Sequence, residues 1–317
     1  MKILVLHSEV PDDAPPEDQD TLIAAEAVRA ALDRKGYAVS KAAYRADTLS
    51  AVLKQHAPDI VFNLVEGVDG KGILASAAPR QLSELGMAFS GVGADAMDAT
   101  CDKPNTKVKM RAAGLATPDW SVPPDWIGLD GRLFIVKAAL EDGSIGLDDG
   151  CIVRGPQVKA RAEESLRRFG GQWFAEEYVE GREFNLSLLG NRKAMRLLPM
   201  AEMTFADWPE GKPRIVGYGA KWDEESSGYR HTVRRFGVEK EEPELAAKLR
   251  AACEQVWALF DFTGFVRVDF RVRDGEPFIL ELNPNPGIAP DAGFAAAAAA
   301  AGMSYDDLIE AIIKAAQ

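Results

Sequence analysis

The apolar run Ile3-Leu4-Val5-Leu6 near the start of the chain predicts a buried strand over Lys2 to His7. A polar loop, HSEVPDDAPPEDQD, follows it. Asp20 then precedes Thr21-Leu22-Ile23, and apolar positions recur at helical spacing to Leu32, which predicts a helix capped by Asp20. Gly36 suits its end, because glycine tolerates left-handed backbone. A second helical stretch, Leu49 to His56, stops at Pro58, and Ile60-Val61-Phe62 reads as another buried strand. This alternation predicts a small parallel α/β domain over roughly the first 95 residues. Residues 103–174 carry short strands, Leu133 to Lys137 and Gly150 to Arg154, and one helix from Ala160 to Phe169. Beyond them lie β-rich segments at Phe184 to Leu189, Val266 to Val272 and Phe278 to Leu282, and a helix from Glu244 to Phe260. The alanine run Ala295 to Ala301 is read as helix, since alanine is the best helix former.

The segment FVRVDFRVRDGEPFILELNPNPG (265–287) is the most informative. Strand periodicity puts Val266, Val268, Phe270 and Val272 on one face and Arg267, Asp269 and Arg271 on the other. In the next strand Phe278, Leu280 and Leu282 are expected to share a face opposite Ile279, Glu281 and Asn283. Asp, Glu and Asn supply hard oxygen donors suited to magnesium. For Asp269 to stand opposite Glu281, the turn needs an odd number of residues, such as Asp274-Gly275-Glu276, or a bulge. The plain alternative is a solvated, salt-bridged face. The apolar surroundings, Asn283 and the rigid Pro-Gly loop after it favour the metal.

Charge narrows the class. With 37 Lys+Arg against 49 Asp+Glu in 317 residues, the formal net charge is −12. Nucleic-acid affinity comes mostly from Lys and Arg at phosphates, so no nucleic-acid partner is expected, whereas one small phosphate ligand needs only a local basic site. No apolar run reaches the length of a membrane span, and Ile3 to Leu6 is too short for a signal peptide, so a cytoplasmic protein is expected. Cys101, Cys151 and Cys253 are odd in number and far apart, which indicates neither a disulfide framework nor a CxxC site.

RVDF followed by ELNPNPG resembles the metal-binding end of the ATP-grasp superfamily, in its D-alanine–D-alanine ligase-like branch. VEGVDGKG (65–72), LGMAFSGVGADAMDATCDKPNTK (85–107), FIVKAALEDGSIG (134–146), FAEEYVEGREF (174–184) and GAKW (219–222) are similar to further pieces of that branch, in the same order. The resemblance implies an α/β N-terminal domain (1–98) and an α+β ATP-grasp unit of two lobes (99–175 and 176–317), with the nucleotide between the lobes. It implies that Lys103 and Lys137 contact ATP phosphates, with Lys137 also catalytic, beneath a loop containing Ser144. Glu176, Glu177 and Val179 would bind adenine, Glu183 the ribose, and Lys221 the γ-phosphate. Asp269, Glu281 and Asn283 would hold magnesium, as two ions, with Mn2+ an alternative. Arg267 would stabilise the oxyanion formed when an amine attacks an acyl phosphate, a role compatible with its plainer reading as a charge partner of the metal carboxylates. For at least one of Glu176, Glu177 and Glu180, plain surface charge is the competing reading.

The substrate end departs from the branch. Its glycine-rich first loop is replaced by HSEVPDDAPPEDQD, where Glu9 is only a weak counterpart of the acid that holds an ammonium. The Ser and Leu positions after the Pro-Gly are replaced by IAPDAGF (288–294). Glu66, Asp69, Gly287 and Asp291 are the remaining substrate-binding candidates, and Asp291 is equally a cap for the alanine helix. The reading is an ATP-dependent carboxylate–amine ligase with altered pockets for small amino-acid-like substrates. The alternatives are D-alanine–D-alanine ligase proper, a non-catalytic ATP-binding module, and a kinase that stops at the phosphorylated product. The branch is commonly dimeric, so a homodimer is among the assemblies it allows.

Overall fold

Three sheets organise the described residues. The structure is a computed structural model that describes residues 1–11, 14, 16–141, 144–148, 150–217 and 231–316, the side chains of 16–18 excepted. In the first sheet β1 (Lys2–His7), β2 (Ala38–Ala43) and β3 (Ile60–Leu64) run parallel in the order β2-β1-β3. A central parallel strand is covered on both faces and so reads as a continuous apolar run. Ile3 and Val5 accordingly pack with α1 (Pro16–Arg34), while Leu4 and Leu6 pack with α2 (Leu49–His56) and α3 (Ala77–Glu84). Because α1 starts at Pro16, Asp20 is an interior helical residue and not the expected cap.

Two helices that the hydrophobic pattern did not announce follow, α4 (Ala94–Cys101) and α5 (Lys103–Ala112). Asp102 starts α5: its carboxylate accepts from the Asn105 N–H at 3.0 Å, and Pro104 occupies the first turn. The second sheet is antiparallel and holds β4 (Trp120–Ser121), β5 (Leu133–Ala138), β6 (Ile152–Arg154) and β7 (Trp173–Glu177) in the order β4-β7-β5-β6. Phe134, Val136, Trp173 and Ala175 form a core with Val158 and Ala162 of α6 (Val158–Phe169). The limits drawn from the sequence at 98/99 and 175/176 fall inside α4 and β7.

The third sheet contains β8 (Arg182–Asn191), β9 (Ala194–Leu197), β10 (Ala201–Phe205), β11 (Thr232–Arg235), β12 (Gly264–Arg273) and β13 (Glu276–Asn283). Its order is β11-β10-β8-β12-β13, with β9 paired to β8. Between β11 and β12 come the short α7 (Val238–Glu241) and then α8 (Pro243–Leu259), whose Leu249, Cys253 and Val256 pack on Val266, Val268 and Phe270. The β12–β13 turn is the two-residue Asp274-Gly275, both residues at positive φ (54° and 75°), and not the three-residue loop. That turn sets Arg273 opposite Glu276, and a regular ladder would then set Asp269 opposite Leu280. A bulge intervenes: Phe270 pairs with Ile279 but Asp269 pairs with Glu281, leaving Leu280 as the extra residue. The expected face assignment on β13 therefore breaks. Ile279 joins Leu282 in the core, and Phe278 stands opposite Arg271.

The last two helices, α9 (Gly293–Ala300) and α10 (Tyr305–Ala315), return to the first sheet. Ala297, Ala298, Ile309 and Ile312 share one core with Ile3, Val5 and Val28, so the two ends of the chain are packed together. Phe265 sits between Phe62 (6.3 Å between ring centroids) and Phe294 (5.8 Å), joining β12 to that core. No helix among the described residues is long and apolar enough to cross a membrane. At the start of β12, Gly264 (φ 72°) lies so close to Gly91 that a Cβ would stand 2.5 Å from its Cα. Gly264→Ala should cost at least about 2 kcal/mol in urea unfolding, through backbone strain and overlap together. Gly275→Ala, at the same sign of φ but in open space, should cost about 1 kcal/mol.

Candidate active site

Because strand side chains alternate, each strand that gives one face to a core gives the other to the space between sheets. The result is one cleft of about 1440 Å³ lined by the second sheet, the third sheet and the loops after β1 and β3. Lys137 enters from β5, Glu183 and Asn185 from β8, Arg267, Asp269 and Arg271 from β12, and Glu281 and Asn283 from β13.

At the third sheet, Asp269 is 7% exposed and its two oxygens accept from four donors. Arg267 Nε and Nη2 donate at 2.8 Å each, Asn185 Nδ2 at 2.8 Å and Asn283 Nδ2 at 3.2 Å. Arg267 is thus the bidentate charge partner of Asp269, two residues away on the same strand face. Glu281 stands opposite Asp269 across the bulge, and Asn283 stands opposite Arg267. The described residues hold no cluster of three or more His, Cys, Asp or Glu. The set on this face is two carboxylates and one amide, all hard oxygen donors, which fits a magnesium ion that takes its remaining ligands from phosphate and water.

The lysine end is built around Glu176, which is 1% exposed. Its carboxylate meets Lys137 Nζ at 3.0 Å and also Lys107 Nζ. The Glu176 side chain is therefore the centre of a buried ion triad. Lys107 was not singled out in the sequence, although KPNTK places it one helical turn from Lys103. Its ammonium also donates to Thr117 Oγ1 at 2.8 Å and to the Leu280 carbonyl at 3.2 Å. Burial pushes its pKa down to about 8, against the pull of Glu176. Lys103 donates to the Glu141 carbonyl at 2.7 Å and lines a small side cavity that shares Lys137, Ser144 and Glu281 with the cleft.

Glu177 pairs with Arg132 at 2.6 Å and Arg273 at 2.9 Å, Val179 is buried in the cleft wall, and Glu180 is the exposed member of that stretch. Glu183 accepts from Arg271 Nη2 at 2.7 Å, and Arg271 also donates to the Gly181 carbonyl at 3.0 Å. Arg271 was visible in the strand alternation and Asn185 was not singled out, and only the pairing of β12 with β8 brings them to Glu183 and Asp269. Ser144, at φ 65°, lines the cleft and donates to the Val216 carbonyl at 3.4 Å. Asp142, Gly143, Lys221 and Trp222 lie outside the described residues.

At the far end, Glu9 lines the cleft but its carboxylate is paired with Arg45 at 3.1 Å, and both side chains are more than half exposed. The Ser8 hydroxyl accepts from the N–H groups of Glu66 and Gly67 at 3.0 and 3.3 Å, fixing the VEG segment beside the end of β1. Glu66, Asp69, Gly287 and Asp291 all line the cleft. Asp291 does not cap α9, whose N-cap is Ala292 without a side-chain bond. Asp20, carried inward by α1, lines the same end; burial and then the Asp291 charge raise its pKa above the usual carboxylate range.

A family model described as the D-ala D-ala ligase C-terminus matches residues 132–314. A D-alanine–D-alanine ligase of Chromohalobacter salexigens is 33% identical over 305 residues, covering 94% of this chain and 90% of its own length. An uncharacterised protein of Sinorhizobium fredii, y4sG, is 31% identical over 261 residues, covering 80% of this chain and 73% of its own. The crystal structure of the D-alanine–D-alanine ligase of Bacillus anthracis complexed with ATP shares the fold, with a TM-score of 0.76 over 99% of this chain and 97% of that one at 21% identity. The matched segment is more than half of the chain and the relatives span nearly all of it, so the chain belongs to the D-alanine–D-alanine ligase family of ATP-grasp carbon–nitrogen ligases.

Proposed function

We propose that the protein joins a small carboxylic acid to the amine of an amino-acid-like partner, with ATP converting the acid to an acyl phosphate and ADP and phosphate leaving. The observation that carries this reading is the oxygen set Asp269, Glu281 and Asn283, with Arg267, lining the same cleft as Lys137. A free carboxylate is a poor acylating agent because it is anionic and would expel oxide, so its oxygen has to leave as phosphate. Lys137, on the second sheet, and Lys103, at the start of α5, neutralise the transferring phosphoryl group. Magnesium held by Asp269, Glu281 and Asn283 would supply further neutralisation of phosphate oxygens when bound. Arg267, fixed by its two bonds to Asp269, presents a cation that needs no reorganisation when the tetrahedral oxyanion forms. In the adenine segment the N–H groups of Glu177 and Tyr178 are taken by the Asp119 and Leu133 carbonyls, which directs the main-chain contact to Val179. Glu183, oriented by Arg271, accepts from the ribose hydroxyls.

D-alanine–D-alanine ligase proper is the second reading, favoured by the Chromohalobacter relative. The loop 288–294 without Ser or Leu and the pairing of Glu9 with Arg45 support altered pockets instead. A phosphate-release screen over D- and L-amino acids in all pairs, with mass spectrometry of the products, decides between them. Phosphate should appear only when a pair is supplied, with a product mass equal to the pair less water. A stable phosphorylated product would instead mean a kinase, and turnover of D-alanine alone would select the second reading. Asp269→Asn should lower kcat about a hundredfold and also lower the thermal midpoint, because it strands the Arg267 guanidinium. Chelation should abolish turnover, and Mg2+ or Mn2+ should restore it. Lys137→Met should raise KM for ATP about tenfold while Lys107 keeps Glu176 paired, which a titration of ATP against initial rate would show.

A further inference from the structure

Two arginines stand side by side on β11 and meet opposite fates. Arg235, pointing to the outer side of the sheet, is paired with Glu202 at 3.3 Å and with Glu241 at 2.6 Å. Arg234 points into the cleft, is half-buried there, and makes no hydrogen bond or ion pair to any described residue. Its guanidinium lies against Gly293: a Cβ on that glycine would stand 3.5 Å from Nη2, 3.7 Å from Nε and 3.8 Å from Cζ. A side chain at 293 would therefore touch the guanidinium at ordinary contact distance, and the loop 288–294 has no hydroxyl of its own to offer a ligand.

The nearby charges sharpen the point. Burial first, and then the like charge of Arg267, disfavour the cation, with only Asp291 acting the other way. Asp291 is exposed, and Asp269 of β12 already holds Arg267 with two bonds. A guanidinium does not deprotonate in proteins, so a half-desolvated Arg234 beside a second arginine is completed by an anion from outside the chain. Its planar fork matches a carboxylate with two parallel bonds.

We propose that Arg234, seated over Gly293, is the anchor for the carboxylate of the acceptor substrate, and that the enzyme thereby selects an acceptor amine that keeps a free carboxylate. This rests on the ligase reading above. The chemistry separates the two anion sources. The donor's carboxylate becomes the acyl phosphate and then the amide, so it is not available to a fixed cation throughout the reaction. In the proposed function the phosphates belong to Lys137 and Lys103. The acceptor's carboxylate is the anion that persists unchanged from substrate to product.

The test reruns the amino-acid pair screen with each acceptor replaced by its carboxamide, on the full chain with ATP and Mg2+. Wild type should show a KM for the acid at least about tenfold below that for its carboxamide. Arg234→Met should raise the KM for the acid about tenfold or more and leave that for the carboxamide unchanged, so that the ratio falls to about one. Arg234→Lys should restore part of the preference. A non-hydrolysable ATP analogue titrated against each variant should bind as it does to wild type. Equal use of acid and carboxamide by wild type, or a loss confined to nucleotide affinity in Arg234→Met, would overturn the proposal, the latter by assigning Arg234 to phosphate. If no pair releases phosphate while the analogue still binds, the ligase reading itself fails and the proposal with it.

Discussion

The Lys107 ammonium, 1% exposed, is the contact on which the cleft depends. An ammonium has three protons to donate, and here all three have acceptors: the Glu176 carboxylate, the Thr117 hydroxyl and the Leu280 carbonyl. Those acceptors belong to β7, the chain after α5, and β13, so one side chain joins the second sheet to the third. Taking a charge out of water is unfavourable, and a buried pair roughly offsets that cost only when its hydrogen bonds are complete. Removing one partner strands the other. The triad therefore does more to specify how the parts meet than to add net stability.

The Leu280 bulge shows how that contact reaches the carboxylates. An extra residue leaves main-chain groups without ladder partners, and these have to be satisfied elsewhere. The Ile279 N–H donates to the Ala116 carbonyl, the Ile279 carbonyl accepts from Thr117 Oγ1 at 2.8 Å, and the Leu280 carbonyl accepts from Lys107. With the irregular backbone held in this way, Glu281 is returned to the face of Asp269 while Ile279 and Leu282 enter the core. A one-residue slip in a strand reverses every side chain beyond it. Here the slip aligns the two carboxylates.

Packing at the chain ends explains the alanine run, to which no role was assigned from sequence. Ala295, Ala297 and Ala298 are buried in the core formed with β1 and α1, where small side chains let α9 approach closely. The same approach brings Asp291 and Gly293, at the start of α9, to the cleft wall beside Asp20 and Arg234. The end of the cleft that departs from the family's pattern is thus assembled from α1, β11 and the turn before α9, elements that are remote in sequence.

Local pattern was enough for β1, β3, α2, α6, α8 and the valine face of β12, because each carries its own periodicity or an unbroken apolar run. Strand alternation and motif order singled out Asp269, Glu281, Asn283 and Lys137, and the structure brings all four to one cleft. By contrast, α4 and α5 are short and mixed in polarity, and β9 to β11 are half exposed, so neither carries a clean period. Asp20 was misread as a cap because a cap and a helical carboxylate look alike until the preceding turn is seen. Asp274-Gly275 favours the tight two-residue turn, but nothing in residues 276–283 announces the bulge that restores the parity of a three-residue loop. The sequence by itself determined which residue types are available to an ATP-dependent ligase and which strands carry them. Tertiary structure alone decided that Glu176 is buried between two lysines, that Glu9 is occupied by Arg45, and that Arg234 faces the cleft without a partner among the described residues. Burial and charge pairing are properties of what lies across the fold from a residue, and the order of the chain does not record them.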